Sequence, residues 1–108
     1  MRIILLLFSS ALSKLQLSTF LVLGTAGDSL TYHRGLEFST KDHDNDQSSG
    51  NCSLERKGAW WYKSCAYSNL NGLYLKGTDS ATGIQWYHWK KNSESAKKSE
   101  MKIRPMDF

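Results

Sequence analysis

Beyond Thr25 the chain offers a fold only short aromatic or branched runs, chiefly "GAWWYKSC", "GLYLKG" and "GIQWYHW", each opened by glycine. Runs of this length, closed off by turn residues, read as short strands. Helical periodicity is absent from almost all of this stretch, and the polar "KKNSESAKKSE" has only weak helix capacity. "LEFST" adds a strand candidate that leads straight into a polar loop. At 101–105, "MKIRP" alternates Met101 and Ile103 with Lys102 and Arg104, the pattern of a half-buried strand. Long irregular loops between short strands need a staple, a metal or a functional reason to keep one conformation.

With 108 residues the chain is one small domain with little margin of buried core. Its aromatic content of 12% excludes a disordered chain. The net charge of +4 is mild, and no Lys/Arg stripe interleaves with aromatics, so nucleic acid is not an expected partner. Arg2, an apolar run over 3–8 and then Ser9, Ser10 and Ala11 read as a signal peptide or non-homologous leader over residues 1–14. The run is too short to span a bilayer. Residues 15–23 are apolar and predict a buried strand, broken by Gly24 and Gly27.

The segment "KDHDNDQSSGNC" sets Asp42, Asp44 and Asp46 two residues apart. Carboxylates so close repel one another, and a bound cation removes the repulsion. In an extended segment alternate residues share a side, so Asp44 and Asp46 converge on one ion while His43 points away. Hard oxygen ligands favour calcium over zinc or copper. The EF-hand pattern fails, because Gln47 stands where its glycine is required and Ser53 where its bidentate Glu belongs. Backbone carbonyls of the "QSSG" run and water must complete the coordination.

Cys52 and Cys65 enclose "SLERKGAWWYKS". They are either two buried thiols or a bridge. A bridge would suit an oxidising compartment and stabilise the fold by about 3 kcal/mol through the unfolded state. No Cys-x-x-Cys completes a zinc set. Trp60 and Trp61 read as core, and Asn51 opens a formal glycosylation pattern. His33, His43 and His88 are scattered without triad partners, and no nucleophile elbow, phosphate loop or zinc helix occurs. No catalytic constellation follows.

"GTAGDSLTYHRGLEFSTKDHDND", "GAWWYKSC", "SNLNGLYL", "GIQWYHWK" and "EMKIRP" occur in the order and approximate spacing of the fibrinogen C-terminal domain. The chain resembles that family, which includes ficolins, tachylectins, and angiopoietin-like and tenascin termini, over nearly all of residues 15–105. The similarity is to the C-terminal part of the domain only. It implies an α+β, irregular, loop-rich fold with a small, mostly antiparallel sheet, one disulfide and a calcium loop. The domain would occupy 15–108 and be truncated on its N-terminal side. The resemblance further implies calcium ligation by the side chains of Asp44 and Asp46 and the main chain of Ser48 and Gly50. It pairs Cys52 with Cys65 and makes the Ser64–Cys65 bond cis, turning a main-chain N–H towards the acetyl group of a ligand.

Ser64, Cys65, Ala66 and Arg56 are the ligand-site positions by this resemblance. Ala66 stands where acetyl-binding members usually carry His, and Arg56 where several carry Tyr. The 78–83 loop is short and lacks the usual aromatic, and Lys91 and Asn92 replace a glycine–aromatic pair. An acetyl methyl needs an apolar, aromatic wall. The expectation is a secreted, extracellular, calcium-binding recognition module, lectin-like for acetylated glycans in innate recognition but with an eroded pocket, and not an enzyme. The alternatives are a protein–protein ligand or cell-adhesion module with an extracellular protein receptor, or a partial product without function. No Gly-X-Y run or heptad occurs, so oligomers require a stalk outside this chain.

Overall fold

Four aromatic side chains, Trp60, Trp61, Tyr62 and Trp86, are buried in one cluster with Leu17, Leu30, Leu36 and Cys52. The computed structural model describes residues 4–8, 17, 19–23 and 25–101. Large rings give a small domain most of its buried apolar area, and their polar ends require partners. Trp60 Nε1 donates to Ser68 Oγ at 3.1 Å, and Trp86 Nε1 donates to the Gly27 carbonyl at 2.9 Å. The Tyr62 hydroxyl donates to Asn69 Oδ1 at 2.5 Å, and burial pushes its ionisation well above the usual range.

Regular structure is sparse. Strand β1 (Ile4–Phe8) pairs antiparallel with β2 (Thr19–Leu23), with Ile4 opposite Leu23 and Phe8 opposite Thr19. A 3₁₀ turn, η1, spans Thr31–His33, and helix α1 spans Cys52–Arg56. Strand β3 (Ser68–Asn69) pairs antiparallel with β4 (Gln85–Trp86), which runs directly into the single-turn helix α2 (Tyr87–Lys90). Lone bridges join Ser39 to Trp60 and Leu73 to Gly83. The last of these brings backbones very close: a Cβ on Gly72 would lie 2.2 Å from the Gly83 carbonyl oxygen. Only glycine fits there.

Several expected strands are shorter than their sequence runs, because side chains or other backbone segments take the groups that a ladder would use. In the run at 15–23 the described strand is Thr19–Leu23, and Leu17 pairs elsewhere, its N–H donating to the Leu36 carbonyl and its carbonyl accepting the Gly35 N–H. "LEFST" keeps only isolated bridges, among them Ser39 to Trp60 and Thr40 to His43; next to them Asn45 donates through its side chain to the Phe38 carbonyl and through its N–H to Ser39 Oγ. "GIQWYHW" ends as a strand at Trp86, where Ser29 Oγ captures the His88 N–H and the chain coils until Lys91 adopts a left-handed conformation. Helix α1 lies where no helix was expected. Met101 is half-buried against the core, and the rest of the 101–105 strand expectation lies outside the described residues.

His33 joins these pieces. It is fully buried, its Nδ1 is 2.8 Å from the Trp61 carbonyl, and its Nε2 accepts the N–H groups of Tyr67 and Ser68 at 3.1 and 3.3 Å. A carbonyl only accepts, so Nδ1 carries the proton and Nε2 the lone pair. Only the neutral ring can make all three bonds. Burial, reinforced by the Lys63 charge, lowers its pKa from 6.5 to about 4, although the bond to Trp61 opposes the shift. The unfolded chain therefore takes up a proton at His33 below about pH 6.5, whereas the folded chain resists until about 4. Stability present above pH 6.5 is lost as pH falls through this window, by about 3 kcal/mol in all. Denaturant melts between pH 7 and 4 should show this loss, and His33→Gln should be less stable at pH 7 with a flatter pH dependence over the same interval.

Candidate functional site

The acidic loop is built from side chains that bond to its own backbone. Asp44 Oδ1 accepts the Asp46 N–H at 3.1 Å, and Asp46 Oδ1 accepts the Ser48 N–H at 2.9 Å. Asp46 Oδ2 accepts the Cys52 N–H at 2.9 Å, which ties the loop to the start of α1. Burial raises the Asp46 pKa and the adjacent Asp44 carboxylate raises it further, while the bonds from Cys52 and Ser48 pull it down. Asp42 is exposed and accepts from Thr40 Oγ1 at 2.7 Å, a bond that lowers its pKa. The structure thus brings Asp44 and Asp46 together and leaves Asp42 outside their pair. No described N–H donates to the Ser48 or Gly50 carbonyl.

Helix α1 carries the loop to the next feature. Asn51 caps it, its Oδ1 accepting the Leu54 N–H at 3.2 Å while its Nδ2 donates to the Lys41 carbonyl at 3.2 Å. Asn-Cys-Ser-Leu-Glu is an N-cap signal that the glycosylation reading of Asn51 obscured. Cys52, the first helical residue, is bridged to Cys65 across a Cα–Cα distance of 5.6 Å. The Ser64–Cys65 peptide bond is cis. Glu55 Oε2 lies 3.5 Å from Cys65 Sγ. A bridged sulfur has no proton to donate and no thiolate to offer, so Cys52, Glu55 and Cys65 do not make a soft-metal centre.

The ligand-site positions fall on both sides of this bridge. Ser64 is exposed, and its carbonyl accepts from the Tyr32 hydroxyl at 3.2 Å. Ala66 is half-buried and packs against the aromatic core. Arg56 ends α1, and its carbonyl is held by Asn69 Nδ2 at 2.9 Å. No described hydrogen bond links the Arg56 side chain to Ser64 or Ala66. Sequence reasoning missed the aromatic surface beside Ser64. Tyr32 packs edge-on to Tyr67 at 4.7 Å, Tyr67 lies 5.5 Å from both Tyr87 and His88, and Lys63 Nζ sits 5.0 Å from the Tyr32 ring centre. It also missed His33, whose only local sign is its place in "TYHRG".

Residues 9–106 match the family described as fibrinogen beta and gamma chains, C-terminal globular domain. Tenascin-R of Gallus gallus is 57% identical over 82 residues, covering 76% of this chain and 6% of tenascin-R. Fibrinogen C domain-containing protein 1 of Homo sapiens is 53% identical over 85 residues, covering 77% of this chain and 18% of that protein. The fibrinogen-like globe domain of human ANGPTL2 superposes with a TM-score of 0.67 at 41% identity, covering 78% of this chain and 40% of that one. The chain therefore spans less than half the length of each. No helix among the described residues is long and apolar enough to cross a membrane.

The Asn51 cap holds both α1 and the beginning of the acidic loop, so its loss should be felt in each. Asn51→Ala should cost about 1 kcal/mol in urea unfolding, with the substitution Asn51→Asp retaining most of that stability. Equal stability of Asn51→Ala and the native chain would show that the cap is not needed to hold the helix.

Proposed function

The chain belongs to the family of fibrinogen C-terminal globular domains, and on that premise we propose that it is an extracellular, calcium-organised recognition module with a lectin-like face. The family's domains are non-enzymatic recognition modules. Extracellular placement is supported by the Cys52–Cys65 bridge, which persists in an oxidising compartment.

The observation that carries the calcium reading is the pairing of two carboxylates in one short loop that is itself bonded to the bridged helix. The donor set fits. Asp44 and Asp46 supply charge, the Ser48 and Gly50 carbonyls are the main-chain candidates, and all are hard oxygens. When bound, calcium neutralises the repulsion between the two carboxylates and braces the loop against α1. Calorimetry should give one calcium per chain with a Kd of roughly 10⁻⁴ to 10⁻³ M, the range of extracellular modules. Asp44→Ala and Asp46→Ala should each abolish binding and Asp42→Asn should leave most of it. Undiminished binding by both alanine variants would put the ion elsewhere.

The face at Ser64–Cys65 retains a cis peptide beside the bridge but little of an acetyl wall. Ala66 contributes one methyl against the core, and Arg56 brings a charge where an aromatic would serve. One hydrogen bond contributes about 0.5–1.5 kcal/mol net, against the roughly 4 kcal/mol that millimolar affinity requires. Acetylated glycans are therefore weak ligands. The group formed by Tyr32, Tyr67, Tyr87 and His88, with Tyr67 exposed, favours an extracellular protein receptor as a second reading, since such rings are enriched where proteins meet. In an NMR titration, N-acetylglucosamine should fail to saturate the chain at about millimolar concentration, and Ala66→His should tighten binding. Saturation of the native chain well below millimolar would overturn the eroded-pocket reading.

A further inference from the structure

A surface cleft of about 520 Å³ opens over α1, and Lys41, Ser53, Leu54, Lys57, Ala59 and Leu73 contribute to its lining. We propose that this cleft binds a peptide segment of a protein partner that presents an apolar side chain next to a carboxylate. None of Asp44, Asp46, Ser64 or Ala66 lines it, so the proposal does not depend on the calcium or acetyl readings.

Three features of the cleft select that chemistry. Ser53 is 2% exposed, and its Oγ has no hydrogen-bond partner among the described residues. A buried hydroxyl without a partner is unfavourable, and it both donates and accepts, so a ligand amide that enters as the cleft widens would satisfy it in either sense. Leu54 and Leu73 are 53% and 45% exposed, large apolar side chains left facing solvent at the cleft. They call for an apolar side chain to cover them. Lys41 and Lys57 are both exposed, and Asp42 is the only acid in the lining, with one carboxylate oxygen already bonded to Thr40. The lining is thus net positive and calls for a carboxylate. A glycan lacks the apolar side chain and an acyl chain lacks the amide; a peptide supplies all three groups.

The backbone around the cleft is set before any ligand arrives. Lys57 closes α1 in a left-handed conformation, its N–H donating to the Ser53 carbonyl. Asn51 bonds the Lys41 carbonyl to the other end of the same helix. Both lysines therefore project from fixed backbone positions beside the cleft.

The test uses the whole ¹⁵N-labelled chain in calcium buffer, titrated with a capped leucyl-glutamate tetrapeptide and with its leucyl-lysine counterpart. The glutamate peptide should shift the amides of Ser53, Leu54, Lys57 and Leu73 and bind at least about threefold more tightly than the lysine peptide. Lys57→Glu, or Lys41→Glu if that variant does not fold, should cancel or reverse the ranking. Ser53→Ala should melt at a higher temperature when free, because it removes the unpaired hydroxyl, yet bind the glutamate peptide at least about threefold more weakly. Equal affinity for the two peptides, or shifts confined to 64–66, would overturn the proposal. So would a Ser53→Ala variant that melts higher and binds unchanged. Concentration-dependent shifts of the cleft amides without peptide would assign the surface to a second copy of the chain, and that too would overturn it.

Discussion

A neutral imidazole held at the end of a three-residue turn organises the backbone around the Ser64–Cys65 bond. His33 donates to the Trp61 carbonyl and accepts from the Tyr67 and Ser68 amides, so one ring clamps the backbone on both sides of the Ser64–Cys65 bond. The arrangement exists only while the ring is uncharged: an imidazolium has a proton on each nitrogen and cannot accept. Burial keeps it uncharged at neutral pH. A longer strand pair would have held these amides through its own ladder. Here β3 and β4 each have two residues, and the side chain takes over that task.

The same substitution of side-chain bonds for sheet bonds recurs through the molecule. Asn45 secures the acidic loop to Phe38 and Ser39, and Asp46 ties it to Cys52. Asn51 joins it to α1. Asn69 receives the Tyr62 hydroxyl and holds the Arg56 carbonyl at the far end of the same helix. These bonds, with the Cys52–Cys65 bridge, run as a connected path from the acidic loop to the Ser64–Cys65 peptide.

Two surfaces with different chemistry result. Beside the cis peptide, Ala66 turns into the core while Tyr32, Tyr67 and Lys63 remain at the edge, an arrangement better suited to aromatic and polar contact than to enclosing a methyl group. Over α1, apolar and basic side chains surround a buried hydroxyl. Relatives at 53–57% identity match about three quarters of this chain. Membership in a fold family defines the scaffold, and the chemistry of individual side chains defines the ligand.

The amino-acid sequence by itself determined the features that depend on near neighbours or on motif order. The alternation of Asp44 and Asp46 sets their common side within a few residues, and glycine spacing marks the close turns. The order of motifs places the bridge at Cys52 and Cys65 and the whole chain in its family. Trp60 and Trp61 were legible as core because little else explains such rings in a small domain. The tertiary structure alone decided where the strands stop and which surfaces stay open. His33 shows the reason most clearly. Its three bonds reach residues 28, 34 and 35 positions away, and nothing in its immediate neighbours announces them. A polar side chain acquires such a role only when folding brings distant backbone groups within reach and removes the water that would otherwise compete for them.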